Sequence, residues 1–175
     1  MRTDMRQGPE IWVRGPVATG ADAGAPAPAG PVAAGALPRA TPRRYSWVAT
    51  HGGAGTTTLA AVYGGHDCGR HWPGPDAPRS VLLVARTHAA GLEAVVRAVE
   101  VFRGGGAPAG LDLDAVVLVA DAPGRLPRPL AQRVGPIEAV VDVHRVPWIA
   151  AWRLGDLSGR PPRGTEPLAR LTGTV

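Results

Sequence analysis

The run HGGAGTTT, residues 51 to 58, gathers glycines and hydroxyls where an anion could be held. Glycines between a strand and the first turn of a helix let backbone N–H groups converge on one point, and the helix dipole adds positive potential there. Gly52, Gly53 and Gly55 would shape such a cradle, with Thr56, Thr57 and Thr58 presenting hydroxyls from the opening helix. The same glycines also suit a purely structural turn that keeps a strand and a helix packed together.

A second cluster lies in GHDCGRHW, where His66, Cys68 and His71 stand beside Asp67. Zinc takes four ligands in a tetrahedron. The HxCxxH spacing offers three, so His51 or His88 would have to complete the site from neighbouring strand ends. The competing reading is a polar loop with incidental histidines. Cys68 is the only cysteine, which excludes an intramolecular disulfide and a four-cysteine metal site. No Ser–His–Asp order and no paired carboxylates support hydrolase chemistry.

Three tryptophans are candidates for partner contact. Trp12 sits in EIWVRGP, a short apolar motif that could dock on a sheet edge or a partner. Trp148 and Trp152 are four apart and share a face if the segment is helical, as core packing or as interface anchors. Arginines 125, 128, 133, 153 and 160 suggest a basic rim. Without interleaved aromatics or a helix-turn-helix pattern, nucleic-acid binding is not favoured.

The elements that must position these groups follow from composition and periodicity. Residues 1–44, and 17–40 above all, are Ala/Pro/Gly-rich with few large side chains, so a disordered N-terminal tail is expected. From residue 45 strands and helices alternate. YSWVAT (45–50) reads as a strand, HGGAG as a turn, and TTTLAAVYG as a helix ended by Gly64 and Gly65. SVLLVAR (80–86) is a near-continuous apolar run, the mark of a strand covered on both faces. After Thr87 a helix is expected, with Leu92, Val95, Val96, Val99 and Phe102 recurring at three to four residues. Strands are expected at 113–121 and 138–147, helices at 126–134 and 148–157, and a frayed tail at 158–175. Such βαβ alternation predicts a small three-layer α/β domain over 45–157. Its sheet would be mainly parallel, of about four or five strands, with helices on both faces.

Composition bounds the rest. All 19 basic residues of the 175 are arginine, so the chain has no lysine, and its net charge is +5. An arginine bias with so much Ala, Gly and Pro fits a GC-rich genome, so the charge permits an acidic partner without requiring one. The N-terminus lacks the apolar core of a signal peptide, and no window reaches the roughly 18 apolar residues of a membrane span. A cytoplasmic protein is the expectation.

HGGAGTTTLA resembles the deviant Walker A motif of the ParA/MinD-type P-loop ATPases, Lys-Gly-Gly-x-Gly-Lys-Thr-Thr. Gly52, Gly53, Gly55, Thr57 and Thr58 match, while His51 and Thr56 stand where that motif carries its lysines. VLLVART, GLEAVVRAVEVF and AVVLVADAPGR resemble the later strand–helix–strand half of the same family. The stretch 45–157 is most similar to a lysine-free group of small P-loop-like proteins from GC-rich bacteria, with a GGAG-type loop and a later ADAPGRLP segment. That resemblance implies a fold and no established activity. It further implies that Thr57 holds the magnesium-ligand position of a Mg-ATP site, and that an acid at a neighbouring strand end completes it. Asp121 has the Asp-x-Pro-Gly form of that acid, but its place in the chain fits the later base-recognition strand better.

Phosphoryl transfer on such loops relies on lysine and Mg²⁺ to stabilise the β/γ oxygens. Thr56 supplies a hydroxyl and no charge. Arg86 or Arg125 could reach in, but an arginine fork has a different geometry. The chain therefore reads as a pseudo-ATPase, an accessory or scaffolding protein with a protein partner; the resemblance to the ParA/MinD class implies a plasmid, conjugation or secretion assembly. An active ATPase using arginine and a DNA-binding partition factor are the alternatives.

Overall fold

SVLLVAR carries no polar side chain between its ends, and such a run is stable only where both faces are covered. In the computed structural model, which describes residues 45–174, it forms β3 (Ser80–Arg86), and Val81 to Ala85 are all 0% exposed. The expected N-terminal tail and Trp12 lie outside the described residues. β1 (Tyr45–Ala49) and β4 (Asp112–Val119) flank β3, and β5 (Asp142–Val146) lies beyond β4. A two-residue strand, β2 (His66–Asp67), pairs with the other side of β1, inside what the sequence reads as a loop. The order is β2-β1-β3-β4-β5 and every pairing is parallel. The expected parallel α/β sheet is thus present.

Two separate apolar clusters follow from the two-residue period of the strands. Leu82 and Val84 pack with Leu59 and Tyr63 of α1 (Thr56–Tyr63) and with Leu168 and Ala169 of α5 (Glu166–Thr172). Val81, Leu83 and Ala85 pack with Leu92, Val95 and Val99 of α2 (Ala89–Arg103) and with Val134 and Ile137 of α3 (Arg128–Glu138). Helices of different connections therefore serve different clusters.

Three boundaries differ from the sequence reading. Gly135–Pro136 looks like a helix stop, yet α3 runs through it to Glu138. Val134 and Ile137 are three apart and both buried; their packing outweighs the one backbone donor that Pro136 lacks. The last strand starts correspondingly late. The closing helix expected at 148–157 is only α4 (Ala150–Arg153), so Trp148 precedes it.

The segment 158–174 is likewise no frayed tail. Its Pro/Arg/Gly-rich composition hides α5, which buries Leu168 and Ala169 against the sheet. The Tyr63 hydroxyl donates to Thr165 Oγ1 at 2.7 Å, and Thr174 Oγ1 donates to the Tyr63 carbonyl at 2.9 Å. The folded unit therefore extends past residue 157.

Candidate functional site

The chain leaves β1, adds β2 on one side, and returns on the other side of β1 as β3. The connections after β1 and β3 therefore diverge, which opens a crevice at the carboxyl ends of those two strands. Ligands of open α/β sheets bind at such a switch point. The glycine-rich loop occupies this place.

Local chemistry shapes the loop. Thr50 is anchored twice to the Val84 carbonyl, through its N–H at 3.0 Å and its hydroxyl at 3.1 Å. Gly55 is the N-cap of α1 with φ 109°, a conformation that side chains rarely adopt, and it offers no capping side chain. The N–H groups of the first helical turn, from Thr56 to Thr58, consequently have no acceptor among the described residues. Around the exposed Gly52 and Gly53 an added Cβ would meet open space.

His51 fastens this loop to β3. Its Nε2 accepts the Arg86 N–H at 2.9 Å, so the ring proton sits on Nδ1, which donates to the Gly52 carbonyl at 2.9 Å. The ring lies against His88, centroids 5.0 Å apart and planes tilted by 58°, and His88 Nδ1 caps α2 by accepting the Gly91 N–H. Gly91 is required here, because a Cβ would collide with the Arg86 carbonyl and press on His51.

The three threonines have different fates. The Thr56 side chain is buried, only 5% exposed. Thr58 lines a small cavity of about 40 Å³ with Gly55, Arg86 and Trp152. Thr57 is exposed, and its Oγ1 donates to Asp67 Oδ2 at 2.6 Å, while Asp67 Oδ1 accepts the Gly69 N–H at 2.9 Å. Burial alone would raise the Asp67 pKa, but these hydrogen bonds, with a further contribution from Thr56, outweigh it and hold the carboxyl below its ordinary value. Asp67 is thus an ionised carboxylate beside Thr57. Sequence reading missed this pairing because it depends on β2, whose two residues carry no strand signal.

Asp121 is elsewhere. It follows β4, with β3 standing between that strand and β1, and its N–H donates to Thr87 Oγ1 at 3.1 Å. Asp67, not Asp121, is the acid at Thr57.

Arg86 brings a cation to the loop. Its Nε donates to the Gly53 carbonyl at 3.3 Å and its Nη1 to the Ala120 carbonyl at 3.0 Å. Nη2 lies 3.8 Å from where a Cβ on Gly55 would be. Burial pulls the Arg86 pKa down, nearby Arg153 pulls the same way, and Asp121 opposes them. Two arginines held near each other make a region of positive potential. Arg125 does not join them; it lines a separate cavity.

Trp148 and Trp152 also line the small cavity beside Gly55. Both are half-buried, Trp152 against the α1/α5 cluster and Trp148 under the Arg153 guanidinium at 4.5 Å from the ring centroid. They face the loop's surroundings, so the shared helical face expected from their spacing is replaced by a shared cavity wall. His66 lies on β2, and Cys68 packs against the α2/α3 cluster, where burial raises its thiol pKa. Among the described residues no three His, Cys, Asp or Glu side chains come together as a metal-binding group, so HxCxxH does not converge.

Fold and site together define an all-parallel α/β domain with a glycine-rich loop, a Thr–Asp pair and an arginine at its switch point. The model of DUF6668, a family of unknown function, matches residues 45–166. The chain belongs to that family. No curated protein and no solved structure matches it. Among the described residues no helix is long and apolar enough to cross a membrane.

Proposed function

We propose that the protein is a catalytically degenerate P-loop-like module that works by binding rather than by turnover. It keeps a phosphate-sized anion site at the glycine loop and serves as an accessory or scaffolding component for a protein partner. The observation that carries this reading is the use made of Arg86. The Arg86 guanidinium reaches the loop and donates to two backbone carbonyls, Gly53 O and Ala120 O. It therefore braces the loop against β4, and its charge is partly committed before any phosphate arrives. No lysine is available to replace it.

Binding, in contrast, is supported at each point. The first-turn N–H groups of α1 are open to an anion, and Arg153 adds to the positive potential of Arg86. The Thr57 hydroxyl and the Asp67 carboxylate are the oxygen donors a Mg²⁺ accompanying a nucleotide favours. Mg-ATP is accordingly the cofactor proposed for the loop. When bound, the ion would shield phosphate charge, and Thr57 and Asp67 would hold it.

Calorimetric titration of ATP with and without Mg²⁺, combined with a phosphate-release assay, tests the proposal. Saturable, Mg²⁺-enhanced binding without steady phosphate release is the expected result. A second reading, an active ATPase using Arg86, is favoured by the Nη2 atom 3.8 Å from the Gly55 position. Sustained phosphate release that disappears in Arg86→Ala would establish that reading and overturn the first.

A further inference from the structure

A well-formed cavity lies away from the glycine loop, and the function proposed above makes no use of it. It measures about 450 Å³ and opens at the carboxyl ends of β3, β4 and β5. That volume falls within the roughly 300–1,000 Å³ typical of small-molecule sites. We propose that this cavity is a second binding site, for a small molecule with an apolar body and one anionic group, a carboxylate or a phosphate monoester.

The floor and wall are apolar. Leu118 of β4 and Leu130 and Val134 of α3 form them, and all three belong to the α2/α3 cluster. Pro123, Pro127 and Pro147 stiffen the loops around the mouth, because each ring fixes its own φ. A stiff apolar well loses little entropy when it takes up a flat hydrophobic group.

The rim carries the charge. Arg125, Arg145 and Arg163 line the mouth against a single carboxylate, Asp121. Arg145 is paired with Glu138 at 2.7 Å, and Glu166 lies near Arg163. Arg125 makes no ion pair among the described residues. Asp121 bears electrostatically on Arg86, on the other side of the Ala120 carbonyl. Among the residues lining the cavity three guanidiniums face one carboxylate. Once Glu138 and Glu166 are counted with their arginines, Arg125 is left at the mouth without an ion pair among the described residues, over an apolar interior. A neutral apolar molecule would leave the Arg125 guanidinium unused.

The site is separate from the glycine loop. No residue from His51 to Thr58 lines it. Its Leu118 floor packs with α2 and α3, whereas α1 packs in the other cluster. The Arg86 side chain, spanning Gly53 O to Ala120 O, stands between the two.

The test uses the whole protein and three probes of one shape: 1-naphthyl phosphate, 1-naphthoate and neutral 1-naphthol. Binding is followed by calorimetry and by chemical shifts of the Leu118, Leu130 and Val134 methyl groups. At least one anionic probe should bind about tenfold tighter than 1-naphthol, the size of one charge-assisted contact. The stronger of the two identifies the anionic group. Arg125→Gln, an exposed change, should remove that preference, and Leu130→Trp should block both anions by filling the well. Thr57→Ala should leave probe binding unchanged, so failure of the glycine-loop reading and failure of this one are distinguishable. Equal binding of all three probes, no preference lost in Arg125→Gln, or shifts confined to residues 51–58 would overturn the proposal. Because the methyl shifts are read on the wild-type chain, a misfolded Leu130→Trp leaves the test intact.

Discussion

Thr57 and Asp67 are ten residues apart, on the first turn of α1 and on the edge strand β2, and their side chains meet at 2.6 Å. The contact links the helix end of the glycine-rich loop to the shortest strand of the sheet. It also couples the loop to β2, which pairs with β1 at Ser46↔His66 and Trp47↔Asp67.

If the pair acts as a unit, its members should not contribute independently. Thr57→Ala and Asp67→Ala should each remove the Mg²⁺-dependent part of ATP affinity, and the double variant should be no worse than either alone. Such non-additivity is the signature of groups in direct contact. Both side chains are accessible enough that the cost in stability stays below about 1 kcal/mol, so the affinity change is not a folding effect. Additive losses in the double-mutant cycle would break the unit apart.

Gly91 and Gly135 make a matched pair of helical glycines with opposite surroundings. A Cβ at Gly91 would strike the Arg86 carbonyl and touch His51, whereas one at Gly135 would meet nothing within 4 Å. Gly91→Ala should destabilise the fold by about 1–3 kcal/mol through overpacking. Gly135→Ala should stabilise it by roughly 0.5–1 kcal/mol through helix propensity. Denaturant unfolding of both variants checks the two signs together.

Acid should weaken the fold in two stages. Burial pulls the His144 pKa down, with Asp142 opposing, so the unfolded chain takes up that proton first. Stability is then lost as pH falls below the unfolded value of about 6.5. The Asp67 carboxyl is also held low in the folded state, its hydrogen bonds outweighing the opposite push of burial. Its contribution is present above about pH 4, the unfolded value, and is lost as pH falls through the folded one. The urea midpoint should therefore decline first near the histidine range and again near the carboxylate range. His144→Gln should erase the first decline and spare the second; an unaltered profile would remove His144 from the account.

The C-terminal segment should prove necessary to the domain. Leu168 is 1% exposed within the α1/α5 cluster, so Leu168→Ala should cost about 2–5 kcal/mol. A chain ending at residue 157 should lose more, because the Tyr63–Thr165 and Thr174–Tyr63 hydrogen bonds go with it. Thermal melts compared with the full-length chain measure both. A truncated chain that melts with the parent would show that α5 only rests on the surface.

The repeating plan is legible in local sequence. Continuous apolar runs at 81–85 and 115–119 permit only strands covered on both faces, and the spacing of Leu92, Val95 and Val99 permits only a helix facing them. The glycines of residues 52–55 could be placed at a strand–helix turn for the same reason: backbone geometry is local, and local geometry leaves marks in local sequence. The lack of lysine was equally plain, since composition needs no structure.

Tertiary structure alone decided what meets what. β2 is two residues long, so its pairing with β1 comes from the packed chain and not from propensity, and with it comes Asp67 at Thr57. Arg86 ends a strand like any other until the sheet order puts β3 beside β1 and brings its guanidinium to Gly53. α3 continues through Gly135 and Pro136, and α5 emerges from a Pro/Arg/Gly-rich stretch, because Val134, Ile137, Leu168 and Ala169 find a sheet to cover. Periodicity records which faces are apolar; only the closed fold sets the distances between residues far apart in the chain, and those distances define the site.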